Sequence, residues 1–168
     1  EPIKKHLDLT SGKDRGRLYE LLYEGPRPLR KPRLSAAPTA ELVALLADPD
    51  AWWRETAQRL LIERKAVDAV PALRKLAADR PTPLGRLHAL WTLAALGALP
   101  DADVAMALAD PEPRVREQAA KLAEGRLQAD RGLIANLLPL ADDPDPMVRF
   151  RAALTFGDVV DDERGLTA

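Results

Sequence analysis

From Thr39 onward, apolar residues recur at the i, i+3, i+4 spacing of a helix face. One set of runs is Leu42/Leu45/Leu46, Val70/Leu73/Leu76, Val104/Ala105/Leu108 and Ile134/Leu137/Leu138. A second set alternates with it: Ala57/Leu60/Leu61, Ala89/Leu93/Leu96, Ala119/Leu122/Ala123 and Ala152/Thr155/Phe156. The first set predicts A helices over about 40–47, 69–79, 102–109 and 131–142. The second predicts B helices over about 51–64, 83–96, 113–124 and 146–157. Alanine at the shared positions 57, 89, 119 and 152 lets neighbouring helices approach closely. A single helical pair cannot bury its own apolar face, whereas stacked pairs can.

The turns between A and B helices repeat in sequence as well as in pattern. Segments beginning at Asp48, Arg80, Asp110 and Asp143 align without gaps, in steps of 32, 30 and 33 residues. Pro49, Pro81, Pro111 and Pro144 end the preceding helix, because proline lacks an N–H and clashes with the carbonyl four residues back. Asp50, Thr82, Glu112 and Asp145 stand where a side-chain oxygen caps the next helix, glutamate being the weakest of these caps. Pro83, Pro113 and Pro146 then occupy the first helical position, where a missing N–H costs nothing. Thr39, Asp68, Asp101 and Asp130 are the expected caps of the A helices, and Gly97 and Gly125 the expected stops of two B helices.

Residues 1–34 follow a different pattern. His6-Leu7-Asp8-Leu9 alternates, 11–16 is turn chemistry, and 17–23 reads as a second strand before Gly25-Pro26. A β-hairpin is expected here, followed by a Pro- and Arg-rich linker. A lone hairpin is marginal in water, so it wants a partner. The first 35 residues hold nine Lys or Arg against five Asp or Glu, about +4, which leaves about -5 for the rest of a chain of net charge -1. That balance disfavours a dedicated nucleic-acid binder. With no cysteine there is no disulfide, thiolate metal site or c-type haem attachment. The longest apolar runs fall far short of the roughly 20 residues that span a bilayer.

The recurring Asp-Pro-Asp-Pro-x-Val-Arg-x-x-Ala segment, at a period near 31 residues, resembles HEAT repeats, most nearly the short subclass of bilin-lyase type. The resemblance covers about 39–160 and implies an all-α chain. The expected architecture is a right-handed α-α superhelix of about four helical pairs over residues 35–168, preceded by the 1–34 hairpin and linker. The second repeat departs from the pattern with Arg80 in place of Asp, and the first has Ala51-Trp52-Trp53 where proline would stand. Residues 6–19 are similar to the closing strands of a β-propeller. They resemble large dehydrogenase-like proteins of planctomycete type, in which a propeller precedes HEAT-like repeats and a c-type haem domain. That resemblance implies a fragment of a multidomain redox protein, placed in the periplasm or cell envelope. It would explain both the orphan hairpin and the absence of an initial Met.

The candidate residues divide into structural and interaction groups. Arg54, Arg86, Arg116 and Arg149 recur at one position of helix B, and Asp48, Asp110 and Asp143 at the preceding turn. These are expected to form an internal ladder, each arginine bonding a carboxylate or turn carbonyl, in preference to a basic stripe for an anionic ligand. On that reading Arg116→Ala costs about 1–3 kcal/mol. Trp52 and Trp53 are adjacent and cannot share a helix face, so one is expected at the surface or under the linker. With Arg27, Arg30, Lys31 and Arg33 they form the candidate interaction set. Trp91 is expected in or near the core, and His88 as a partly buried helix residue. His6 and His88 are too few and too far apart to suggest a metal site, and acid pairs such as Asp142/Asp143 read as turn residues. No catalytic residue, cofactor or metal ligand is expected. The functional expectation is a non-catalytic scaffold that docks protein domains, with no nucleic acid and no membrane insertion. The alternatives are a HEAT-like enzyme, DNA glycosylase-like or bilin lyase-like, and an adaptor for a separate protein.

Overall fold

The chain divides into two units between Pro32 and Arg33. A computed structural model describes the backbone of residues 33–160 and the side chains of 33–157. The hairpin expected within 1–34, and with it Arg27, Arg30 and Lys31, lies outside the described residues.

A short 3-10 turn, Leu34–Ala36, leads into α1 (Thr39–Leu45) and α2 (Ala51–Glu63). A second 3-10 turn, Val67–Ala69, runs directly into α3 (Val70–Ala77), followed by α4 (Pro83–Ala95). The third pair is α5 (Asp101–Leu108) and α6 (Pro113–Ala123). The fourth is α7 (Gly132–Leu137), a 3-10 segment Leu138–Asp142, and α8 (Pro146–Val160). The described residues contain no strand. The B helices form a row in which α2 packs on α4, α4 on α6 and α6 on α8, while α1 meets α3 and α5 meets α7 in the A row. This is an all-α solenoid of stacked pairs.

The core is the seam between the two rows. Leu42, Leu61, Leu73, Leu93, Leu108 and Leu137 are essentially excluded from solvent. Each contributes roughly 1.5–3 kcal/mol of burial, opposed by the entropy of ordering. Ala57, Ala89, Ala119 and Ala152 are all fully buried, one at the same place on each B helix. Pro83, Pro113 and Pro146 each open their helix.

The ends of the B helices follow local chemistry. At the end of α4, Gly97 has φ +67°, its N–H donates to Ala94 O, and the Ala98 N–H donates to Leu93 O. This paired 5→2 and 6→1 pattern is the Schellman motif, which needs a left-handed residue after the helix. Gly125 takes φ +71° after α6. The end of α2 repeats the pattern of α4, with Lys65 N–H to Ile62 O and Ala66 N–H to Leu61 O, but Lys65 holds the left-handed position at φ 50°.

Several local expectations are corrected. The fourth A helix is not continuous: Pro139 cannot supply an N–H to an α turn, and the chain passes into 3-10 geometry at Leu138. Leu138, one residue beyond buried Leu137, lies at the edge of the buried face and is exposed. The caps are also unequal. The side chains of Asp50 and Asp145 accept the N–H groups of Trp52 and Met147, whereas Thr82 turns away to donate to Asp79 Oδ2, and Glu112 makes no cap bond. Pro38 and Pro100, not Thr39 and Asp101, stand at the cap positions of α1 and α5. Asp68 lies within a 3-10 turn. Asp130 accepts the Gly132 N–H from one residue before the cap of α7.

Candidate interaction surface and the arginine ladder

Each recurring arginine first closes the turn of its own unit. Nη1 of Arg54 donates to the carbonyls of Asp48 and Pro49, that of Arg116 to Asp110 and Pro111, and that of Arg149 to Asp143 and Pro144. Arg86 does the same one residue earlier, on Asp79 and Arg80. These carbonyls lie at the end of a helix and a proline turn, where backbone acceptors lack intrahelical donors.

In Arg86 and Arg116 the remaining two guanidinium nitrogens reach into the next unit. Arg86 Nε and Nη2 grip both carboxylate oxygens of Asp110 at 2.8 and 2.7 Å. Arg116 grips Asp143 in the same way at 2.7 and 2.8 Å. Each aspartate also closes its own turn, accepting the N–H of Glu112 or Asp145. Parallel two-point bonding of this kind fixes orientation as well as distance. Both rungs are withdrawn from water: Arg86 is 3% exposed and Asp143 7%. The bonds from Arg116 hold the Asp143 carboxyl below its ordinary value, against the opposing push of burial, and the Asp145 N–H adds to the lowering. The Arg116 guanidinium is raised by the same bond.

The first joint differs. Arg80 stands where a carboxylate would receive Arg54, and the Arg54 Nε instead donates to Nε2 of His88, at 3.3 Å. His88 Nδ1 lies 2.7 Å from Gln58 Oε1, so the imidazole is the neutral tautomer that donates at Nδ1 and accepts at Nε2. Burial is the main cause lowering the His88 pKa, the Arg54 cation adds to it, and Glu55 opposes. Asp48 accepts the Asp50 N–H.

A second set of contacts, on the A side, was not foreseen from the sequence. Arg74 grips Asp103 with Nε and Nη2 at 2.8 and 3.0 Å, joining α3 to α5. Arg126, after α6, donates to Asp101 Oδ1 and Leu99 O. Arg64, after α2, donates to the carbonyls of Leu34, Ser35 and Ala37. Arg64 and Arg126 each follow a B helix and reach back to the start of their own unit, a parallel that the sequence offers in hindsight. A cleft of about 140 Å³ is lined by Arg80 and by two matched pairs, Arg74–Asp103 and Arg86–Asp110.

The interaction candidates are dispersed. Trp52 is half exposed, while Trp53 packs against the core with its ring edge-on to Trp52, centroids 5.2 Å apart. Trp91 is partly buried, donates Nε1–H to Gln118, and has Lys121 Nζ 5.6 Å from its ring centre. Arg33 is exposed ahead of the first 3-10 turn. Among the described residues no helix is long and apolar enough to cross a membrane.

A proline-closed turn, an arginine locking it and an acid from the next pair completing the fork recur at α4 and α6. Residues 103–168 match the family model for HEAT repeats. The matched stretch begins within α5 and contains the Arg116–Asp143 rung. No curated protein and no solved structure matches the chain. The described residues thus form a HEAT-like helical repeat array, and HEAT repeats generally serve as protein-interaction scaffolds.

Proposed function

We propose that this chain is a non-catalytic HEAT-like scaffold that docks and spaces neighbouring domains of a larger protein. The observation that carries the reading is the pair of consecutive fork contacts, Arg86–Asp110 and Arg116–Asp143. They fix the register of three successive helical pairs with buried, two-point bonds, as a rigid spacer requires. Arg86, Asp110, Arg116 and Asp143 are engaged with one another, which suits a mechanical role better than a chemical one. Half-exposed Trp52 supplies an aromatic anchor of the kind that dominates binding energies at interfaces. The parent is a dehydrogenase-like protein of the periplasm or cell envelope with a c-type haem domain, a context supported by the propeller resemblance of residues 6–19.

The experiment is calorimetric titration of this chain with the segments that flank it in its parent polypeptide, expressed separately. The expected result is saturable binding to at least one segment, weakened by Trp52→Ala. Absence of binding to every flanking segment overturns the docking role. A parent sequence without a Cys-x-x-Cys-His motif removes the haem context and leaves the scaffold reading in place.

A further inference from the structure

The end of the B row carries an incomplete rung beside an exposed apolar face. Arg149 holds the carbonyls of Asp143 and Pro144 at 2.7 and 3.1 Å. Arg116 holds the matching pair at 2.8 and 3.1 Å, so the two guanidinium groups are fixed to their turns in the same way. In Arg116 the other two nitrogens, Nε and Nη2, grip the aspartate of the next unit. In Arg149 the same two nitrogens have no hydrogen-bond partner among the described residues, and the side chain is exposed.

Beside it on α8, Met147, Phe150 and Leu154 are 44%, 57% and 47% exposed. In α4 the corresponding positions are Leu84, Leu87 and Trp91. There Leu84 and Leu87 line a groove with Glu112, Arg114 and Val115 of the next unit and Trp91 bonds Gln118; Leu87 and Trp91 are partly buried, while Leu84 at the rim stays 48% exposed. On α6 the same positions are Arg114, Glu117 and Lys121, so stacking does not of itself demand apolar residues there. Of the later B helices, α4 and α8 are the two that present an apolar edge, and α4 uses it against a following pair.

We propose that this face of α8 is a docking surface for one further helical pair of the same type, following in the same polypeptide. The turn aspartate of that pair completes the fork of Arg149, and its B helix covers Phe150 and Leu154, the counterparts of Leu87 and Trp91. The ligand chemistry is specified by the rung: a carboxylate on an Asp-Pro turn, carried at the spacing that places Asp143 33 residues after Asp110. The proposal rests on the scaffold reading only in placing this chain within a longer one.

The test extends the complete chain with a second copy of residues 136–160, which sets the copied Asp143 33 residues after the original. A second chimera joins a copy of residues 128–160 directly after Val160, giving the added pair a wholly copied A helix. Hydroxyl-radical footprinting followed by mass spectrometry reads Phe150 against Met106, which is 63% exposed on α5 and serves as the internal reference. The copied Phe150 is replaced by leucine in both chimeras, so that the original is read apart from the copy. The expected result is a severalfold slower oxidation of Phe150 relative to Met106 in a chimera. Arg149→Gln, or alanine at the copied aspartate, should move the Phe150 rate part of the way back to that of the unextended chain. Unchanged Phe150 oxidation in both chimeras overturns the proposal. So does concentration-dependent protection of Phe150 in the unextended chain with dimers in sedimentation, which would assign the face to a second copy. Failure here with retained binding of a flanking segment leaves the scaffold reading intact; protection of Phe150 without such binding does the reverse.

Discussion

The joint between the first and second pairs can be set beside the two that follow it. At the later joints an arginine fork meets a carboxylate at two points. At the first, the same arginine makes the same turn contacts but meets one imidazole nitrogen at 3.3 Å. The backbone and the alanine-lined seam are common to all three, as the full burial of Ala57, Ala89, Ala119 and Ala152 shows. The difference comes from one position, where Arg80 stands in place of an aspartate. Helical stacking therefore does not depend on the ion pair. What the ion pair adds is two-point orientation, and the first joint lacks it.

The largest effect is expected from breaking a later rung. Arg86→Ala leaves the partly buried Asp110 carboxylate without its cation and should lower stability by about 3 kcal/mol in denaturant unfolding. Arg54→Ala removes turn bonds and a contact to a neutral ring, and should cost about 1 kcal/mol in the same measurement. Equal losses from the two variants would abolish the contrast between the joints. Installing the missing acid is the converse test. Arg80→Asp gives Arg54 a carboxylate at the position of Asp110 and should raise stability by about 1 kcal/mol, read as a higher unfolding midpoint. Lys65→Gly should add up to about 1 kcal/mol, because Lys65 bears a left-handed conformation that Gly97 supplies at the matching site without steric cost. Gly97→Ala should lose a comparable amount.

The smallest effect is a dependence on pH that separates the two kinds of joint. Folding lowers the proton affinity of His88 from its ordinary 6.5. As pH falls below about 6.5, the unfolded chain therefore takes up the proton first. The His88 contribution is complete above that value and declines as pH falls toward the folded pKa. His88→Gln should flatten the slope of stability between pH 7 and 5. Asp143, also lowered on folding, acts in a different window: its contribution is present above its ordinary 3.8 and is lost as pH falls through the folded value. A slope between pH 7 and 5 that His88→Gln does not alter would remove the imidazole from the account of the first joint.

The sequence made the turns legible because their chemistry is local. Proline at the first helical position and glycine after a helix each act within a few residues, and the structure places them accordingly. The A side was less legible. Leu138 continued an apolar stripe, yet the buried face of α7 runs through Leu133 and Leu137 and leaves Leu138 at its exposed edge. Arg74–Asp103 and Arg126–Asp101 join positions that do not recur at one offset in every unit, so periodicity did not single them out. His88 reads as an ordinary helix residue until Arg80 is seen to deprive Arg54 of a carboxylate.

The two forked rungs span different lengths of chain: 24 residues separate Arg86 from Asp110, and 27 separate Arg116 from Asp143. Both nevertheless close with nearly the same bond lengths. The extra residues are taken up between α6 and α7 and in the 3-10 stretch before α8. One edge of the array thus behaves as a ruler and the other as slack. Changes in segment length are best absorbed on the slack edge, where they need not disturb the spacing kept by the ruler.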